Sequence, residues 1–187
     1  MSPTIQLTNN QTLIIMACDI TLGRLEGCKD SNGGLNAVYF LNFGEAEGWT
    51  VADEAITGIS ASTPPSIFKY DLRGTSTFDQ SLTSSRENGT TFAEQTLVLS
   101  LKKQDATTQK QIKLLAYGRP HIIVEDNNGN HFVVGEDFGA ELSASTSTGA
   151  SMGDKSGYEL TFVATEKMFS KFYTGVLATD FAITVGV

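Results

Sequence analysis

Ile122-Ile123-Val124-Glu125-Asp126-Asn127-Asn128-Gly129-Asn130-His131-Phe132-Val133-Val134 is the stretch on which the fold reading turns, because Asn128-Gly129 sits between two apolar runs. An Asn-Gly pair in that setting asks for a two-residue type I′ turn, whose twist matches that of paired strands. Counting outward, Asn127 faces Asn130, Asp126 faces His131, Glu125 faces Phe132, Val124 faces Val133 and Ile123 faces Val134. Successive side chains of a strand point to opposite sides, so this ribbon is apolar on both faces, unlike a half-exposed hairpin. Each face needs a cover. The expectation is that the chain's own core supplies one and a second subunit the other, which makes Ile122, Ile123, Val124, Phe132, Val133 and Val134 candidate oligomer contacts.

The rest of the composition agrees with a β protein. A chain of 187 residues, 40% hydrophobic and 18% charged, is long enough to bury a full core and reads as one domain, 1–187. Its 18 glycines and 4 prolines follow no period and punctuate many short segments, which favours strands over long helices.

The net charge of −8 is unevenly placed: residues 1–60 carry 2 basic and 7 acidic side chains, 61–119 carry 8 and 5, and 120–187 carry 3 and 9. No stripe of Lys and Arg is present in sequence, so tight nucleic-acid binding is not expected. A surplus of acid is general solubility chemistry, and it also suits a wall that DNA must pass without sticking.

Cys18 and Cys28 are the only cysteines, and their separation matches no zinc spacing, so two free thiols or one disulfide are the options. Ile15-Met16-Ala17-Cys18 loosely resembles a lipoprotein cleavage site. Arg24 is the first basic residue and the apolar run covers only 13–17, so export is not expected. No run approaches the roughly 20 apolar residues of a membrane span.

Along the chain, residues 13–17, 19–22 and 37–41 read as strands, and 44–65 reads as a long connection with some ordered turns. Strands follow at 67–72, 76–82 and 91–101, with a polar loop at 83–90 whose Arg86, Glu87 and Asn88 are further candidate contacts. Asp105 can cap a helix to Tyr117, with Gly118 as its stop and Ile112, Leu115 and Ala116 as its apolar side. After the central hairpin, 143–157 reads as a polar Ser/Thr/Gly loop, 158–164 alternates as a strand, and 181–187 closes the chain as another.

Catalytic chemistry finds little support. The register above pairs His131 with Asp126 and His121 with Glu136, yet no nucleophile context accompanies either, so cross-strand pairing is the better reading. Asp126-Asn127-Asn128-Gly129-Asn130 has its glycine in the wrong place for a calcium loop. Carboxylate pairs such as Glu45 with Glu47 or Glu136 with Asp137 read as solvated acids rather than a glycosidase pair. No phosphate-binding glycine loop, cofactor motif or metal motif is present, and the chain is not expected to be an enzyme.

Gly153-Asp154-Lys155-Ser156-Gly157-Tyr158-Glu159-Leu160-Thr161-Phe162, following an Asn-Gly hairpin and a Ser/Thr-rich loop, resembles the C-terminal half of tail-tube-type virion proteins of tailed bacteriophages. The similarity is to those of phages of gut Bacteroidetes, including the crAss-like group. Cys28-Lys29-Asp30-Ser31-Asn32-Gly33-Gly34 followed by Ala37-Val38-Tyr39-Phe40 is similar to their N-terminal region. The resemblance implies a mainly β domain, an antiparallel β-sandwich or rolled barrel with one flanking α-helix. It implies a homo-oligomeric ring, six- or twelve-fold, stacked on neighbouring ring or portal proteins of the tail or neck. Genomic DNA would pass through it without specific binding, and Glu125, Glu136 and Asp137 would be channel or rim acids. Such a protein is assembled in the host cytoplasm, carries no cofactor and meets no membrane. The competing readings are a capsid decoration or head-fibre protein and, from another class, a small β-barrel binding protein or hydrolase with an aromatic-lined pocket.

Overall fold

The computed structural model describes residues 22–186. By contacts the chain divides into Met1–Asp30 and Ser31–Val187, and every element described belongs to the second unit. The expected strand at 13–17, most of that at 19–22, and Cys18 lie outside the described residues.

The elements run β1 (Leu35–Leu41), β2 (Trp49–Ala52), β3 (Ala55–Ile59), β4 (Ser66–Asp71), β5 (Thr77–Ser85), β6 (Thr90–Lys102), α1 (Ala106–Tyr117), β7 (His121–Asp126), β8 (His131–Val134), β9 (Glu141–Ser147), β10 (Gly157–Glu166), β11 (Phe172–Tyr173), α2 (Leu177–Asp180) and β12 (Ala182–Val185). They form an eight-stranded sheet in the order β12-β4-β1-β7-β8-β11-β3-β2 and a four-stranded sheet in the order β5-β6-β10-β9. The four-stranded sheet is antiparallel. The larger one is mixed, because β12 runs parallel to β4 and β11 parallel to β3. The chain is thus mainly β, as expected, but not antiparallel throughout, and a four-residue helix joins the one anticipated.

The first core lies where the two sheets meet: Val38, Phe40, Ile122, Val124 and Val134 of the larger sheet pack with Leu97, Leu99, Leu160 and Phe162 of the smaller. The second occupies the opposite face of the larger sheet, where Ala37, Tyr39, Leu41, Ile123 and Val133 meet Ile56, Ile67, Tyr173, Leu177 and Phe181. Strands β1, β7 and β8 are therefore covered on both sides by this chain alone. Ile122, Ile123, Val124, Val133 and Val134 are each 0% exposed, and at roughly 1.5–3 kcal/mol per buried aliphatic side chain they belong to the main stabilising mass of the protein. Phe132 is half-buried, between Phe78 and Phe172 at ring-centroid distances of 6.1 and 4.7 Å. The expectation of a second subunit on one face is corrected: two cores of the same chain do the covering.

The turn is also different. The observed pairs are Ile122 with Val134, Ile123 with Val133, Val124 with Phe132 and Glu125 with His131, one residue away from the expected register. Gly129 has φ +81°, but Asn128 is not left-handed, so a type I′ turn is ruled out. Instead the Gly129 N–H reaches the Asp126 carbonyl and the Asp126 N–H reaches the Asn130 carbonyl, closing a three-residue loop with glycine at its left-handed position. Asp126 drives this choice. Its carboxylate accepts from the backbone N–H groups of Asn128 (2.8 Å) and Asn130 (2.7 Å) and from both side-chain amides. The pair of left-handed residues that a type I′ turn demands occurs elsewhere, at Asp53 (φ 49°) and Glu54 (φ 60°) between β2 and β3.

Helix α1 begins and ends where the sequence predicts. The Asp105 carboxylate accepts from Thr108 N at 2.8 Å, Gly118 N–H donates to the Leu114 carbonyl, and Ile112 is buried with Leu115 packed beside it. Two expected loops are strands. Part of 44–65 is the β2–β3 hairpin, and the first residues of 143–157 belong to β9, which pairs with β10 from Gly157–Ser147 to Val163–Glu141.

Candidate functional site

Glu125, expected as a channel or rim acid, lies within the ribbon instead. It accepts from the Asn36 amide (2.6 Å) and the Tyr39 hydroxyl (2.8 Å), with His131 Nε2 at 3.8 Å. Burial first, and then the Glu125 bond, push the Tyr39 phenol well above its ordinary range. Glu136 takes both of its contacts from Lys171, at 2.7 and 2.8 Å, and Asp137 is bridged by Lys167 at 2.6 Å. All three acids are thus paired inside the protomer.

The two histidines do not form acid-base pairs with the predicted partners. His131 faces Glu125 rather than Asp126. His121 is buried, its Nδ1 on the Gly135 carbonyl, with Phe43 stacked at 5.0 Å and the edge of Trp49 at 5.8 Å. Burial pulls its imidazole below the ordinary histidine range, against the opposing pull of the Gly135 bond, and so favours the neutral ring.

Two buried polar residues not singled out from sequence hold the segment after β8. Gln95 accepts from Gly135 N–H at 3.1 Å and donates to the Met168 carbonyl at 3.4 Å. Glu166 accepts from the N–H groups of Asp137 (3.1 Å) and Phe138 (3.0 Å), while burial, the larger influence, pushes its carboxyl up. The signal for Gln95 was present: it occupies a core-facing position between Ala93 and Leu97, where an amide stays only if both of its ends are bonded.

The β5–β6 hairpin carries the predicted contacts Arg86, Glu87 and Asn88 at its tip, all exposed. Among the described residues, β6 beyond the rung joining Ala93 to Glu166 has β5 as its only neighbour, through the pairs Thr83–Phe92, Ser84–Thr91 and Ser85–Thr90. Residues 81–92 are exposed except for Ser85, which is half-buried. Leu82 pairs with Ala93 and Phe92 with Thr83, so these two side chains, each 40% exposed, stand on opposite faces of the arm. An isolated two-stranded ribbon is marginal in water, and here it keeps an uncovered apolar group on either side.

A groove of about 390 Å³ lies between α1 and the strands β1 and β4, walled by Phe40, Phe43, Phe68, Tyr70 and Leu114. Arg119 sits over the Phe43 ring at 4.6 Å. Among the described residues no group of three or more His, Cys, Asp or Glu could hold a metal ion, and no helix is long and apolar enough to cross a membrane. No protein family, curated protein or solved structure matches this chain.

Proposed function

We propose that this chain is a structural subunit of a tailed-phage virion that assembles into a ring or tube segment of the tail or neck, without catalytic activity. The observation that carries the reading is the projecting end of the β5–β6 hairpin, with Leu82 and Phe92 uncovered on opposite faces. A partner that receives this arm takes more of both side chains out of water and stiffens a ribbon that, among the described residues, has no third strand to support it. The two sheets meeting over a common core fit the β-sandwich that the resemblance at the two ends of the chain implies. In this reading the arm replaces the β7–β8 ribbon as the contact element, and the homo-oligomer is six- or twelve-fold. Light scattering across a concentration series, with negative-stain images of the same samples, tests it. Annular particles of six or twelve copies are expected. A monomer at every concentration, also after seeding with assembled tails, would overturn the reading, and a trimer bound to shells would point to a decoration protein.

The aromatic groove beside α1 favours a second reading, a small binding protein, since Asn42, Gln111 and Arg119 add polar groups to its apolar wall. Saturable binding of an aromatic fragment there by a strictly monomeric chain would establish it over the first.

A further inference from the structure

A cavity of about 320 Å³ opens where the ends of β4 and β6 meet the start of α1, and Arg73, Lys102 and Lys103 all line it. In a chain of net charge −8, three cations converge on one hollow. Two carboxylates share the lining: Asp71 is bridged by Lys69 at 3.0 Å, whereas Asp105, which caps the helix through Thr108, keeps its charge and attracts Lys103. Among the described residues none of Arg73, Lys102 and Lys103 forms a salt bridge within 4.0 Å, and only Lys103 is attracted by a lining carboxylate, Asp105. Lys155 borders the cavity, its Nζ donating at 2.8 Å to Ser100, a lining residue, but its charge is already met by Glu159 at 3.6 Å.

The backbone reinforces the convergence. Lys103 has φ +66°, a left-handed conformation that long side chains rarely adopt, held by the bond of its N–H to the Ser156 carbonyl at 2.8 Å. The Lys102 amine lies beside Gly74, 3.7 Å from where a Cβ would stand. With Asp71 balanced by Lys69 and Asp105 set against Lys103, two of the three positive charges keep no counter-charge in the hollow, and a bound anion offsets their repulsion.

We infer that this cavity is a binding site for a phosphate-class oxyanion. A single carboxylate would balance one of the two positive charges left after Asp105 is counted, whereas a phosphoryl group carries nearly two charges and offers its oxygens in several directions. The ligand is either a free phosphate compound or one phosphate of a nucleic-acid backbone. Three cations in one hollow do not make the extended stripe that tight DNA binding needs.

The test is calorimetric titration of the full chain with sodium pyrophosphate at low ionic strength. Saturable one-to-one binding that weakens as salt is added is expected. Lys103→Gly should weaken it about tenfold, and Arg73→Ala combined with Lys102→Ala about a hundredfold, at roughly tenfold per charge-assisted contact. Lys103→Gly also relieves the left-handed strain, so its melting temperature should stay level or rise while affinity falls, a split that a purely structural lysine would not show. A thymidine oligonucleotide that displaces pyrophosphate identifies the backbone phosphate as the source, and failure to displace identifies a free phosphate compound. Absence of pyrophosphate binding, or equal binding by all the variants, overturns the proposal.

Discussion

The β7–β8 ribbon and the tip of the β5–β6 hairpin are both two-stranded reversals with apolar side chains on two faces, yet the first has five of its apolar side chains 0% exposed and the second has Leu82 and Phe92 each 40% exposed. The ribbon has a strand on either side and a core above and below, so its greasiness records a central position in a large sheet. The arm has neither. Two-faced apolarity is therefore a measure of burial, and apolar side chains stay in water where, among the described residues, the neighbouring strands run out, as they do past Ala93.

The largest effect that would break this contrast lies in the ribbon. Ile122→Ala and Ile123→Ala open cavities in different cores, and each should cost about 2–5 kcal/mol in urea unfolding, independent of protein concentration. If either were neutral, that face would be covered by something other than this chain. Next comes the turn. Asp126→Ala removes the acceptor of four hydrogen bonds and should cost about 1–2 kcal/mol by the same measurement. Burial raises the Asp126 carboxyl, but the bonds from Asn130 and Asn128 outweigh it and hold it below its ordinary 3.8. Its contribution is therefore present above that pH and disappears as acid protonates it in the folded state.

A smaller effect is expected from His121. Because the folded ring resists protonation, the unfolded chain binds the extra proton, and stability should fall as pH drops below 6.5. Urea midpoints at pH 7 and pH 5 check this, and His121→Asn should flatten the slope. The smallest effect on stability, and the sharpest test of the comparison, is Leu82→Ser with Phe92→Ser. Unfolding should shift by no more than about 0.5–1 kcal/mol, while the assembled fraction seen by light scattering drops. A large loss of stability in the monomer would show that the arm is packed after all.

Sequence periodicity was a good guide where one face is buried and the ends are marked. β6 and β10 alternate, and α1 has both a cap and a stop. It failed where side-chain chemistry overrides pattern. β9 is mostly serine and threonine with a small alanine, because it is an edge strand whose support comes from the β10 ladder rather than from burial. The β2–β3 reversal uses Asp53-Glu54, a pair without the glycine that normally announces left-handed residues. The register of the ribbon differs because the Asp126 side chain, bonded to Asn128 and Asn130, closes a three-residue loop where a backbone-only count allows two. Of the site, Arg86, Glu87 and Asn88 were legible as a loop, but Leu82 and Phe92 were not legible as a pair across an arm. That needs the end of β10 to be known. The cationic cavity joins residues separated in the chain, Arg73 with Lys102 and Lys103, and no local pattern announces it.

The place of β1 in its sheet has a consequence for the nascent chain. One of its neighbours, β4, is synthesised soon after it, but the other, β7, arrives only at His121–Asp126, after all of β5, β6 and α1 have been made. Until then a strand whose Ala37, Val38 and Leu41 end up fully enclosed has one bare hydrogen-bonding edge. Such long-range pairing is slow and exposes sticky intermediates. During translation the hazard is misassociation between polypeptides still on their ribosomes, and a holdase chaperone acting before β7 emerges would raise the yield more than one added to the finished chain.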